Sequence, residues 1–288
     1  MPDTKAFFIR PMKPGDLDQA FALSTEEGWN QTMNDWRLLF DNPDNICIVA
    51  EKDKRVAGTA TALNHDDCVA WIGMVLVDKS LRGQGAGKML LEEIINSSKH
   101  IQSVKLDATP AGEPLYLKLG FIPEYSILRM TRSPQKQSAP KLSGQAVFSV
   151  QSTELPEISE LDRNIFGADR SYLLNTLINT YPDRAFCLKE GSRIDGFALG
   201  RAGSGFNYIG PVSARSIESA KQLISASLES LDDKAIAIDI LEDKKELTEW
   251  LGTEGFIRQR QFSRMYLKAN PYPGILNNQF LISGPEFG

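Results

Sequence analysis

Between residues 82 and 88 the chain reads Arg82-Gly83-Gln84-Gly85-Ala86-Gly87-Lys88. Glycine at every second position leaves successive backbone N–H groups clear of side-chain bulk, so they can converge on one concavity. The apolar spacing that follows, Leu90, Leu91, Ile94 and Ile95, predicts a helix starting directly behind the loop. A helix N-terminus adds unsatisfied N–H groups and a dipole end worth roughly 0.3–1 kcal/mol to an exposed anion. Loop and helix together suit a phosphate, and Arg82 and Lys88 could add charge.

Two well-known phosphate loops fit this spacing badly. A Walker loop has four residues between its first glycine and G-K-[ST]. Here three residues separate Gly83 from Gly87, and Met89 takes the Ser/Thr place. A dinucleotide fingerprint reads G-x-G-x-x-G after an early parallel strand. Here the spacing is G-x-G-x-G, after runs that read as an antiparallel meander.

Other chemistry has little material to work with. The two histidines, His65 and His100, and three scattered cysteines, Cys47, Cys68 and Cys187, give no zinc spacing and little basis for Ser-His-Asp catalysis. No metal is expected. His65 falls in an expected hairpin turn and reads as a surface residue. The odd cysteine number fits a reducing compartment. The N-terminal residues hold no apolar core of signal-peptide length, and no apolar run approaches a membrane span. A net charge of −5 argues against a nucleic-acid surface spread over the chain. The reading is a cytoplasmic protein with no nucleic-acid or membrane partner; its oligomeric state stays open.

The elements that must hold the loop can be read in order. A short strand is expected at 6–10, a helix after Pro14, and a second helix over 32–40 with Met33, Trp36, Leu39 and Phe40 at helical spacing. "ICIVAEK", "RVAGTATAL" and "CVAWIGMVLV" are three strand runs separated by turn residues. Beyond the glycine loop and its helix, "VKLDA" is a strand. Pro114 to Leu119 is a short helix ended by Gly120, and "SILRMTR" is a strand. Residues 134–145, polar and rich in proline and serine, mark a linker between domains at 1–133 and 146–288.

The second half repeats the first. "GFIPEYSILRM" (120–130) returns as "GFIRQRQFSRM" (255–265), and "WIGMVLV" (71–77) as "YIGPVSA" (208–214), at offsets of 135 and 137. The copy runs almost directly into "RSIESAKQLISASL", without a glycine loop.

Arg82 to Gly87 matches the Q/R-x-x-G-x-G/A signature of the GCN5-related N-acetyltransferases (GNAT), and lies where that family carries it, between the fourth strand and the next helix. "LYLKLGF" resembles the family's tyrosine-bearing short helix before G-F. The resemblance covers roughly residues 6–131, and the second half resembles a degenerate copy. It implies an α+β fold of two tandem GNAT-like domains, each a mixed, mostly antiparallel sheet flanked by helices.

The resemblance also implies acetyl-CoA as co-substrate. It places pantetheine on the backbone of Val75, Leu76 and Val77 and the pyrophosphate on the amides of Gln84 to Lys88, with Arg82, Gly83 and Gly85 completing the loop. It makes Tyr116 the general acid. Thr109 stands at a cofactor-contact position where many members have asparagine, and its hydroxyl reaches less far. Glu26, Glu27, Trp29, Asn30 and Gln31 fall in the segment that lines the acceptor site in the family, with Glu27 a candidate base. Trp29 and Trp36 equally fit core anchors, and the glutamates a solvated helix end.

The expected activity is direct acetyl transfer to a primary amine of a small molecule. A non-catalytic acyl-CoA sensor or scaffold and a protein-lysine acetyltransferase are the alternatives. The second half, with Trp250 near the place of Tyr116, is expected to bind no CoA and to pack on the first. The segment 274–288 is expected to dock on the body of the protein.

Overall fold

Strands with apolar residues at nearly every position need partners on both faces, and β-branched runs of this kind lie inside a sheet. The computed structural model, which describes residues 7–135, 146–191, 193–231 and 234–288, bears this out. In the first half the order is β1 (Phe8–Pro11), α1 (Leu17–Glu26), α2 (Met33–Phe40), β2 (Ile46–Lys52), β3 (Arg55–His65), β4 (Val69–Val77), α3 (Ala86–Ser97), β5 (Ser103–Ala108), α4 (Glu113–Lys118) and β6 (Ile122–Arg132). The second half runs β7 (Val147–Ser149), α5 (Leu155–Phe166), α6 (Ser171–Thr180), β8 (Phe186–Glu190), β9 (Arg193–Arg201), β10 (Asn207–Ala214), α7 (Ile217–Glu229), β11 (Ile236–Leu241), α8 (Lys245–Thr253) and β12 (Ile257–Lys268). The succession of strands and helices is the same, and β13 (Gln279–Leu281) follows. Residues 136–145 of the expected linker lie outside the described residues.

Among the described residues the strands join one sheet in the order β1-β2-β3-β4-β5-β12-β6-β11-β13-β10-β9-β8-β7. The last strand of each half therefore sits among the strands of the other. β12 pairs with β5 from Ser263↔Ala108 to Lys268↔Ser103, and β6 pairs with β11 from Ile236↔Arg132 to Leu241↔Ile127. The recurrent R-M dipeptide lies on these two strands, and its arginines fasten the exchange. Arg264 on β12 grips Asp107 on β5 at 2.8 and 2.9 Å, and Arg129 on β6 grips Asp239 on β11 at 2.8 and 2.6 Å. Both are bidentate, the strongest arrangement for these groups. Burial pushes the Asp107 carboxyl up against the pull of the Arg264 guanidinium.

Helix α3 buries the expected face, with Leu90, Leu91 and Ile94 all fully covered by the first-half sheet. Another core is common to both halves, where Trp36 and Trp71 meet Phe166, Leu173 and Phe287. Trp36 is an anchor there, its indole N–H donating to Ser24 Oγ at 3.2 Å.

His65 corrects the surface expectation. It ends β3 but is only 2% exposed, edge-on to the Phe166 ring at 5.4 Å. The turn residues beside it gave no sign of that cover, because it comes from residues a hundred or more positions away.

Candidate active site

The repeated W/Y-I-G-M/P segment bends its strand. Thr59 and Thr61 on β3 pair with Leu76 and Gly73, so β4 carries one extra residue at this point. Met74 there has φ +50°, and Thr59 Oγ1 donates to its carbonyl at 2.8 Å. A bulge of this kind turns a strand out of its ladder. β4 runs parallel to β5 only from Val69↔Ser103 to Ile72↔Leu106. Beyond that the two strands separate around a cavity of about 380 Å³.

The second half has the same bend and a different outcome. β10 and β11 are parallel at Asn207↔Ile236 and Tyr208↔Ala237, and the register of β10 on β9 shifts at Gly210 and Pro211. β13 then enters the gap, pairing Leu281 with both Val212 and Ile240. The segment expected to dock does so by filling, in the second half, the slot that stays open in the first.

The sequence-derived residues distribute around that open slot. Val75, Leu76, Val77, Arg82, Gly87, Thr109 and Tyr116 line the cavity, as do Glu27, Trp29, Asn30 and Gln31. Gly83, Gln84, Gly85, Ala86 and Lys88 form the loop and first helical turn beside it. Gly85 is the N-cap residue of α3 at φ +93°, and Gly83 has φ +77°; a Cβ at either would meet nothing within 4 Å. The loop therefore faces open space with the helix N–H groups behind it, the cradle a diphosphate needs. Gln84 accepts from Lys52 Nζ at 3.0 Å, and Lys88 pairs at 3.6 Å with Glu92 on the exposed helix face.

Several side chains are already committed. Arg82 donates to the Val77 carbonyl at 3.1 Å and to the Glu27 carboxylate, which also faces Lys79 at 3.8 Å. Thr109 Oγ1 accepts from Gly112 N–H at 3.3 Å, capping the turn into α4. Asn30 is turned to the second half: its Oδ1 accepts from the Gly205 and Phe206 amides at 3.0 and 2.8 Å, and its Nδ2 donates to the Phe206 carbonyl at 2.9 Å. Glu26 is not a lining residue; its carbonyl accepts from Lys79 at 2.7 Å. Gln31, only 8% exposed, has Oε1 buried without a hydrogen-bond partner among the described residues. Tyr116 stands edge-on to Phe121 at 5.8 Å, and burial pushes its phenol up to about 12.

Other lining residues were not foreseen. Asp107 comes from β5, Arg129, Arg260 and Phe262 from the exchanged strands β6 and β12, and Pro285 and Glu286 from the segment after β13. Trp71 Nε1 donates to the Pro285 carbonyl at 3.0 Å, and Arg201 holds Glu286 at 2.5 Å with Asp35 at 3.6 Å. A Cβ on Gly73 would lie 2.9 Å from the Glu286 backbone, so only glycine lets this segment cross the bend of β4. The one sequence signal was the repeated arginine of R-M, visible as a repeat but silent about its partner.

The bulged strand and the order of elements occur twice and define the class as a tandem acetyltransferase fold, while the open slot, glycine loop and tyrosine helix stand in the first half. The description "Acetyltransferase (GNAT) family" matches residues 15–121, and "Acetyltransferase (GNAT) domain" matches residues 158–281. The chain belongs to the GNAT acetyltransferase family, once in each half.

The uncharacterized N-acetyltransferase YitH of Bacillus subtilis (strain 168) is 27% identical over 185 residues, 64% of this chain and 65% of that protein. The match thus spans just under two thirds of that relative. A protein of Pyrococcus horikoshii described as an acetyltransferase has the same fold, with TM-score 0.82 at 20% identity over 100% of this chain and 98% of that one. So does a tandem GNAT protein from the clavulanic acid biosynthesis pathway, with TM-score 0.67 at 13% identity over 91% and 98% of the two chains.

Proposed function

We propose that the protein is an acetyl-CoA-dependent N-acetyltransferase that acetylates a primary amine of a small molecule, with its active site in the first half. The observation that carries this reading is the contrast between the two slots. Where β10 and β11 part, the chain's own β13 supplies backbone to both edges; where β4 and β5 part, Val75, Leu76 and Val77 face a cavity. An extended pantetheine arm has the amide spacing to take β13's place on that edge, and the glycine loop meets its diphosphate end.

Acetyl-CoA, when bound, supplies the activated acyl group and a thiolate leaving group. The residues do the rest. The β4 backbone and the loop N–H groups orient the thioester. As the amine nitrogen bonds the acyl carbon and the C–S bond breaks, Tyr116, whose phenol burial keeps neutral, gives its proton to the departing sulfur, and the proton shed by the nitrogen restores the phenol through solvent. A thiol has an ordinary pKa of about 8.5, so a positioned donor favours its departure. Arg82 brings positive charge to the loop, and Glu27 fixes that arginine. Because the Glu27 carboxylate is committed to Arg82 and Lys79, the base role expected of it is not part of this proposal.

The test is thiol release from acetyl-CoA across a panel of small amines, with a lysine peptide as comparison. Release that depends on a small amine supports the reading. Tight CoA binding with no amine-dependent release would make the protein a sensor, and release only with the peptide would make it a protein acetyltransferase.

A further inference from the structure

Among the described residues six charged side chains line the cavity, and five have an opposite charge in hand. Glu27 has Arg82, Asp107 has Arg264, Arg129 has Asp239, and Glu286 has Arg201. Arg260 has none among the described residues. It sits on β12 directly across from Arg129 on β6, and both guanidiniums stack on the Phe262 ring, at 5.2 and 5.1 Å. Its Nε is buried without a hydrogen-bond partner. A guanidinium cannot shed its charge to escape such a place, so the arrangement is costly until an anion arrives. Burial and the adjacent Arg129 act against the charged form of Arg260, and Asp239 and Glu286, each already paired with another arginine, offset only part of that. Gln31 contributes the opposite demand, a buried carbonyl oxygen that lacks a donor.

Resting on the acetyltransferase reading, we infer that the acceptor is an amine that also carries a carboxylate, with Arg260 binding the carboxylate and Gln31 Oε1 receiving an N–H of the acceptor. A planar guanidinium matches a carboxylate in two parallel hydrogen bonds. The stacked Phe262 ring keeps that fork in place, and Arg129, already neutralised, does not compete for the anion. Amino acids are the simplest compounds that meet both demands.

The experiment compares matched pairs, each an amino acid and its carboxamide, in thiol release and in calorimetric binding to the CoA-saturated protein. The carboxylate member is expected to win by roughly tenfold to a hundredfold in kcat/KM, the size of one charge-assisted pair. Arg260→Gln should erase that preference by raising the acceptor KM while CoA affinity measured by calorimetry is kept. Arg258→Gln, on the same strand but exposed, should preserve the preference. An amino phosphonate in the same series separates carboxylate from phosphate-type anions, and preference for it would overturn the carboxylate assignment. Equal treatment of acid and amide, or a preference that survives Arg260→Gln, overturns the inference with the acetyltransferase reading intact. Failure to bind acetyl-CoA at all overturns that reading instead.

Discussion

Acidification should unlock the shared core at one residue. His65 is buried against Phe166, and burial, with Arg170 adding repulsion, pulls its pKa down to about 3 from an ordinary 6.5. The folded protein therefore keeps the imidazole neutral where an unfolded chain would protonate it. That stabilisation is complete above the unfolded value and is lost as pH falls from about 6.5 towards 3. At about 1.4 kcal/mol per unit, the loss between pH 7 and pH 5 is about 2 kcal/mol, and the full difference is about 4–5 kcal/mol. The chain has only two histidines, and His100 is exposed, so His65 is the histidine that should shape this window. Urea titrations at pH 7, 6 and 5 on the wild type and on His65→Leu measure the difference directly, and carboxylate effects common to both cancel. The wild type should lose about 2 kcal/mol more than the variant, or roughly 4 °C more in Tm. Parallel stability curves would refute the reasoning, since they would mean that the imidazole meets water in the folded state.

Other perturbations reach the slot and the strand exchange. Gly85→Val places a branched side chain at φ +93° in the loop, and should abolish CoA binding by calorimetry at a backbone cost of about 1–2 kcal/mol. Tyr116→Phe should lower turnover by roughly tenfold to ten-thousandfold with acetyl-CoA affinity retained, read by steady-state kinetics. The wild-type rate should show no alkaline loss from this residue below about pH 11, because its phenol titrates near 12. Arg264→Ala leaves Asp107 buried without its partner and should destabilise the protein by about 3–5 kcal/mol in urea titration, whereas Arg264→Met with Asp107→Leu should recover most of that loss.

The glycine loop was legible because its requirement is local: positive φ, absent Cβ and a following helix are all written within a dozen residues. The repeat was legible for the same reason, as two short matching runs. Strand order was not. Alternation along β6 and β12 says which face is buried but not which strand lies alongside, and here the neighbours are exchanged between halves. Arg260 and Glu286 escaped notice because they reach the slot only through that exchange and through the segment after β13. Asn30 was read as an acceptor contact, but its amide spends its bonds on residues 205 and 206, a partnership with no trace in its own neighbourhood.

The exchange of β6 and β12 has a consequence for how the protein is made. When β5 leaves the ribosome, the strand that will cover its edge has not been synthesised, and β6 in turn waits for β11. At about 5–20 residues per second, β5 stands as an uncovered sheet edge for roughly 10–30 s. Throughout that interval the half that carries the glycine loop is incomplete, and the half that lacks one supplies its missing wall. A chain shortened by its second half would therefore leave β5 without a neighbour on that edge, so the degenerate copy is a structural part of the half it resembles.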